Sequence, residues 1–228
     1  MPLNSHDTAF LQDILPFWNK LTPPQRQLIQ SGSAPHNFRA KDIIHSGPDD
    51  CAGLYCIKSG QVRSFILSDT GREITLFRLF ERDVCIFSAS CVLKNIRFDI
   101  YSQAVEDSET ILIPTAIYRD LNQNSLAVSD FTNQLISSRL SDIMWLLEQI
   151  LFMSFDRRLA IYLLEQSSID GSDRLKTTHE EIARNMGSAR EVVTRMLRYF
   201  QSEGMVKLSR GEVELTDRKK LEKMAKAK

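Results

Sequence analysis

The sequence predicts an α+β chain in three successive parts: an antiparallel β-barrel or jelly roll preceded by short helices, one long helix, and a C-terminal helical unit closed by a β-hairpin. Three observations carry this. Between residues 38 and 113, short apolar runs are separated by Gly, Pro, Asp and Ser turns, the pattern of many short antiparallel strands. Ile136, Leu140, Ile143, Leu147 and Ile150 recur at 4-3-4-3 spacing, which keeps one apolar seam on a continuous helix. Between 178 and 200, two helix-start signals flank a glycine, and the second stretch splits into an apolar and a charged face.

At the N-terminus, Phe10, Ile14, Leu15 and Phe17 supply an apolar face, and Pro23-Pro24 opens a second short helix. A fixed φ and a missing N–H do no harm there. Strands are predicted at Asp42–His45, Gly53–Lys58, Gln61–Ser68, Glu73–Phe80 and Thr110–Ile113. The turns between them are S-G-P-D-D (46–50), Ser59-Gly60 and D-T-G-R (69–72). Residues 115–153 read as helix. Its seam residues suit a two-stranded coiled coil, while Leu135, Met144, Trp145, Leu146 and Leu151 widen the stripe. The helix is therefore expected to touch both its own barrel and a second copy of the chain, rather than its own domain alone. The domain boundaries expected are 1–124 for the barrel with its helices, 125–154 for the long helix and 155–228 for the remainder, with a hinge near Ser154–Asp156.

Thr178 precedes Glu181 by three residues and Ser188 precedes Glu191 by three. Both are S/T-x-x-E capping boxes, in which side chains satisfy the free N–H groups of a helix start. Gly187 marks the break. At about 100° per residue, Arg190, Glu191, Thr194, Arg195 and Arg198 share an arc of roughly 140°, and Val192, Val193, Met196, Leu197 and Phe200 share the opposite one. Helix, tight Gly turn and a helix with a charged outer face make a helix-turn-helix, whose second helix enters a DNA major groove. V-K-L-S-R-G-E-V-E-L (206–215) reads as a hairpin with Arg210-Gly211 at its tip, giving a winged helix, and a basic helix over 217–226 ends the chain.

Charge is placed accordingly. The chain is neutral overall, but residues 1–155 carry 13 Lys/Arg and 17 Asp/Glu, while residues 156–228 carry 16 and 12. A basic C-terminal part beside an acidic N-terminal part fits a DNA-binding module attached to something else. An apolar fraction of 43% supports a full core. No stretch is long enough for a membrane span and M-P-L-N-S-H-D-T is no signal peptide, so a cytoplasmic protein with reduced cysteines at 51, 56, 85 and 91 is expected.

Along nearly its whole length the chain resembles the CRP/FNR family of bacterial transcription regulators. The residues that carry the resemblance are G-L-Y-C-I-K-S-G-Q-V (53–62), D-T-G-R-E-I (69–74) and, most specifically, T-H-E-E-I-A-R-N-M-G-S-A-R-E-V-V-T-R-M-L (178–197). The resemblance implies a cyclic-nucleotide-binding-like jelly roll, a dimerisation helix and base reading by Arg190, Glu191 and Arg195. Arg190 is like the CRP branch. It further implies an approximately palindromic double-stranded DNA target, a homodimer and RNA polymerase as a partner. The chemistry agrees: arginine donates twice to guanine O6 and N7, and glutamate accepts from cytosine N4. His179, Ser188, Arg198 and Arg210 are better placed for phosphate, which positions a protein without reading sequence.

The sensing half departs from the family's cyclic-nucleotide binders. Those hold phosphate and ribose with a Gly-Glu pair and a following Arg-Ser. Here D-V-C-I-F-S-A-S (83–90) puts Phe87 in place of the Glu, and Phe98-Asp99 stand for the Arg-Ser, with Arg97 one place earlier. A lining of this kind carries a desolvation cost against a phosphodiester, so an effector other than cyclic AMP or GMP is expected. With no cysteine before 51, an N-terminal iron–sulfur cluster is not supported. Cys85, Phe87, Cys91, Arg97, Met144 and Trp145 are the candidate lining of a pocket for an unidentified small molecule; no cofactor is assigned.

Cys85 and Cys91 admit three readings, in order: small buried residues, a thiol-redox pair, or haem or metal ligands. The last is disfavoured because the nearest histidine in sequence, His45, is distant. The main reading is thus an effector-responsive DNA-binding regulator and not an enzyme. The rivals are a thiol-redox-responsive regulator, a cupin-like barrel enzyme with an assembly domain, and a protein-interaction adaptor. A cupin needs clustered histidines, and those at 6, 36, 45 and 179 are scattered.

Overall fold

The computed structural model describes residues 3–47, 51–92 and 99–226, with the side chains of residues 90–92 outside that description. The chain divides into two compact units, Met1–Leu67 with Leu76–Ile143, and Ser68–Thr75 with Met144–Lys228.

The first unit opens with α1 (Ser5–Ile14), capped by the Asn4 side chain, which accepts from the Asp7 N–H at 2.8 Å. Asp7 is buried and receives Lys58 Nζ at 2.7 Å, which ties the helix to the sheet behind it. A 3-10 turn at Trp18–Lys20 leads to α2 (Pro23–Gly32), where Gln25 Oε1 accepts from the Thr22 N–H at 2.9 Å. Among the described residues eight strands follow: β1 (Ala34–Phe38), β2 (Ile43–Ser46), β3 (Gly53–Ser59), β4 (Val62–Leu67), β5 (Glu73–Leu79), β6 (Val84–Cys85), β7 (Tyr101–Ala104) and β8 (Ser108–Pro114). They form two four-stranded sheets, ordered β1-β8-β3-β6 and β2-β7-β4-β5. The sheets do not close into a barrel, so of the two expected forms the jelly roll is the one found. Leu54, Ile57, Ile111, Ile113, Val62 and Leu79 fill the core between strands and helices.

The five predicted strands all appear within a residue or two. β1, β6 and β7 escape the sequence pattern. β1 contains Pro35, which reads against a strand, but it pairs only with β8 at the sheet edge, where a missing N–H is tolerated. The helix expected over 115–153 is two helices, α3 (Thr115–Asn124) and α4 (Leu126–Phe152), broken where Ser125 adopts an extended φ of −135°. The two are joined by a 2.6 Å hydrogen bond between the Tyr118 hydroxyl and Thr132 Oγ1, and burial pushes the Tyr118 phenol up to about 12.

The second unit contains α5 (Phe155–Asp170), ended by Gly171 in the left-handed region, then β9 (Arg174–Leu175), α6 (His179–Met186), α7 (Arg190–Ser202), β10 (Val206–Ser209), β11 (Glu212–Leu215) and α8 (Arg218–Lys226). Leu159, Leu163, Ile182, Val193, Leu197, Phe200 and Leu221 make its core. The wing is a three-stranded sheet ordered β10-β11-β9 rather than the expected hairpin alone; two-residue β9 is too short to leave a pattern. Segment Ser68–Thr75 packs in this unit: Thr75 Oγ1 donates to Asn185 Oδ1 at 2.9 Å, and Glu73 approaches Arg184 at 3.8 Å.

Candidate nucleic-acid interface

The start of α6 is a complete capping box. The Thr178 side chain accepts from the Glu181 N–H at 3.2 Å, and Glu181 Oε2 accepts from the Thr178 N–H at 2.7 Å. The helix ends at Gly187, whose φ of +62° is left-handed and costs a side-chain-bearing residue about 1 kcal/mol or more. The Gly187 and Ser188 N–H groups both turn back to the Ala183 carbonyl. That closure corrects the expectation at Ser188. It is spent ending α6, the residue before α7 is Ala189, and no side-chain cap forms on α7.

From Arg190 onward α7 divides as its periodicity predicts. Val193, Leu197 and Phe200 are buried, and Arg190, Glu191, Arg195 and Arg198 are exposed. Among the described residues none of these three guanidiniums is held in an ion pair within the chain, whereas Arg174, Arg184 and Arg218 each are. Free cations on an anchored helix are available to an external anion; paired ones would first have to be released.

His179, the first residue of α6, stands beside that face. Its Nδ1 lies 2.9 Å from Thr194 Oγ1 on α7. Burial, then Arg190 and Arg198, hold its pKa below the ordinary histidine value. This bond between helices has no signal in sequence spacing. Ser188 is half-buried, and Arg210 is exposed at the tip of the β10–β11 turn, where Gly211 supplies a φ of +75°. The structure therefore sets Arg190, Glu191, Arg195, Arg198 and His179 on adjoining turns of α6 and α7, with Arg210 on the wing.

The candidate effector residues are differently placed. Cys85 and Phe87 are buried in the first unit, and Phe87 packs on Phe77 at 5.7 Å between ring centroids. Cys85 Sγ is 3.6 Å from Ser102 Oγ, itself 3.1 Å from Ser64 Oγ. His45 is not distant: β2 pairs with β7 so that it sits opposite Ser102. Long-range strand pairing, invisible in sequence, brings it to that cluster. Cys56 and Cys85 are free thiols, and burial, with Cys85 nearby, pushes the Cys56 thiol up, so it is a poor nucleophile. Cys51 is disulfide-bonded, against the expectation of four reduced cysteines. Met144 and Trp145 are exposed on α4. Arg97 and the Cys91 side chain lie outside the described residues.

Residues 157–224 match the Crp-like helix-turn-helix domain. A crystal structure of a crp/fnr-family protein from Eubacterium rectale is 48% identical and superposes with a TM-score of 0.92, over 94% of this chain and all of that one. The chain belongs to the CRP/FNR family. The cyclic AMP receptor protein of Thermus thermophilus is 28% identical over 211 residues, 92% of this chain and 96% of its own length. Regulatory protein HlyX of Actinobacillus pleuropneumoniae is 28% identical over 172 residues, 72% of this chain and 70% of its own. As a CRP/FNR protein it is a DNA-binding transcription regulator and not an enzyme, so the cupin reading falls. Among the described residues no helix is long and apolar enough to cross a membrane.

On the long helix of this CRP/FNR chain, Leu140, Leu147 and Ile150 are exposed and Ile136 and Ile143 half-buried. Met144, Trp145, Leu151 and Phe152 add further exposed apolar surface to α4. Exposed apolar side chains in this number on one helix are the composition of an interaction surface.

Proposed function

We propose that the protein acts as a cytoplasmic homodimer that reads an approximately palindromic duplex and responds to an effector other than a cyclic nucleotide. The observation that carries this reading is the α7 outer face, where Arg190, Arg195 and Arg198 are exposed and free of ion pairs among the described residues. In this reading Arg190, Glu191 and Arg195 take base edges, a G·C pair near each half-site centre among them. His179, Ser188, Arg198 and Arg210 take phosphates. The seam Ile136, Leu140, Ile143, Leu147 and Ile150 pairs with its copy, which sets half-sites about 34 Å apart on one face of the DNA. Residues 1–124, 125–154 and 155–228 serve as sensor, dimer helix and DNA-binding domain, and RNA polymerase is the downstream partner.

Against a cyclic nucleotide stands Phe87, aromatic and buried where the resemblance calls for a carboxylate that holds ribose. An effector acts by binding one arrangement of the DNA-binding units better than another; its differential affinity limits the shift. Selection of bound duplexes from a random pool, with and without cyclic AMP, tests the proposal. A recovered palindrome whose affinity ignores cyclic AMP supports it. No enrichment refutes the DNA reading, and enrichment only with cyclic AMP refutes the effector reading.

A further inference from the structure

His179 joins the two helices of the helix-turn-helix. It is the first residue of the eight-residue α6, where unpaired backbone N–H groups give a partial positive field. Its Nδ1 bonds Thr194 Oγ1 at 2.9 Å, and Thr194 is on the DNA-facing side of α7 between Arg190 and Arg198. The ring is half-buried. With Nδ1 committed to Thr194, only Nε2 is left for a ligand, and a neutral ring that accepts from the Thr194 hydroxyl must carry its proton on Nε2. In that tautomer Nε2 is the ring's remaining donor for a phosphate oxygen, and the bond ties Thr194 to α6 beside Arg190 and Arg198.

We infer that His179 couples DNA docking to the uptake of a proton, acting both as a phosphate contact and as a positioning residue for Thr194 on the recognition helix. This rests on the DNA-binding reading above. The charges that face the ring are Arg190 and Arg198 from α7; Glu180 and Glu181 follow it on α6, and Glu181 is occupied in the Thr178 capping box. In the free protein the burial and the two guanidiniums hold the ring neutral near neutral pH. Docking replaces that positive surrounding with phosphates. These neutralise the arginines and favour the imidazolium, which keeps its Thr194 contact by donating Nδ1–H to the hydroxyl oxygen. The bound-state pKa therefore lies above the free-state one. Docking takes up a proton from solvent, and affinity rises as pH falls through the bound-state value toward the free-state value. Each unit of difference is about tenfold in affinity per copy.

The test uses the full-length protein and the duplex recovered in the selection above. The His179 ring pKa is measured by NMR in the free and duplex-bound states, and proton uptake by calorimetry in buffers of different ionisation enthalpy. The expected result is a free pKa below the ordinary value, a rise on binding, and net uptake near neutral pH. H179Q, shown to be folded by its thermal melt, is expected to weaken binding and to flatten the affinity profile between about pH 5.5 and 8. T194V is expected to weaken binding while keeping a titrating ring. An unshifted ring pKa, or equal pH profiles for H179Q and the parent, overturns the inference and leaves DNA binding intact. Failure to recover any duplex overturns both.

Discussion

Replacing Arg195 with alanine separates base reading from simple charge attraction. Arg195 is exposed and, among the described residues, makes no ion pair within the chain, so its removal takes nothing from the folded state. Exposed substitutions of this kind stay within about 0.5 kcal/mol, and alanine is if anything the better helix former. The whole effect then appears in binding. A bidentate arginine–guanine contact discriminates by about 1–3 kcal/mol, so two copies in a dimer lose about 2–6 kcal/mol, roughly 30-fold to more than 10⁴-fold. A phosphate contact would also weaken binding, and the two are told apart by base substitution. Fluorescence anisotropy on the selected duplex and on duplexes with the central G·C pair replaced should show the parent penalised by the replacement and R195A indifferent to it, a double-mutant cycle across the interface. R198A serves as the contrast: a uniform loss on every duplex and a salt slope shallower by about one unit per copy. If R195A binds the selected duplex as the parent does, or loses the same factor on every duplex, the recognition role fails.

Three further outcomes are expected. L147E puts like charges on the seam of α4, where Leu147 is exposed in the single chain; sedimentation should show dimer converted to monomer, with the palindrome no longer bound tightly. T178A removes the hydroxyl half of the α6 capping box and should cost about 1 kcal/mol, seen as faster amide exchange at Glu181. D7A strands the Lys58 ammonium, only 16% exposed, with Glu109 at 3.7 Å as its remaining carboxylate. Breaking a buried pair from one side costs about 3–5 kcal/mol when the surviving charge is left alone; with Glu109 still in reach the loss should fall below that range in denaturant melts, with D7A/K58M recovering much of it.

What the sequence discloses and what it hides follow from the range of the forces involved. The α6–α7 pair was legible because caps and helical periodicity act within four residues: Thr178 with Glu181, Gly187 at the break, and the two arcs beginning at Arg190 all appear in the fold. The same local rule misled at Ser188. Ser188 and Glu191 have capping-box spacing, but the Gly187 turn had already claimed the Ser188 N–H, and the helix starts one residue late. In the jelly roll, alternating strands with glycine turns were visible, while edge strand β1 and the two-residue β6 and β9 were too short or too interrupted to stand out.

The sensor region shows the limit more sharply, because its composition is decided by pairing between strands far apart in the chain. Cys85 and His45 looked unrelated across forty residues of sequence, yet the β2–β7 register sets His45 opposite the serine whose hydroxyl meets the Cys85 sulfur. Ser64, Ser102 and Cys85 thus form a buried polar cluster within the first unit. Buried hydroxyls are kept where each finds a partner, and the members of this cluster supply one another. The asymmetry between the two halves of the molecule has the same origin. A helix face that meets DNA is built from one continuous segment and so is written in one continuous stretch of text. A jelly-roll interior is assembled from strands far apart in the chain, and no single stretch contains it.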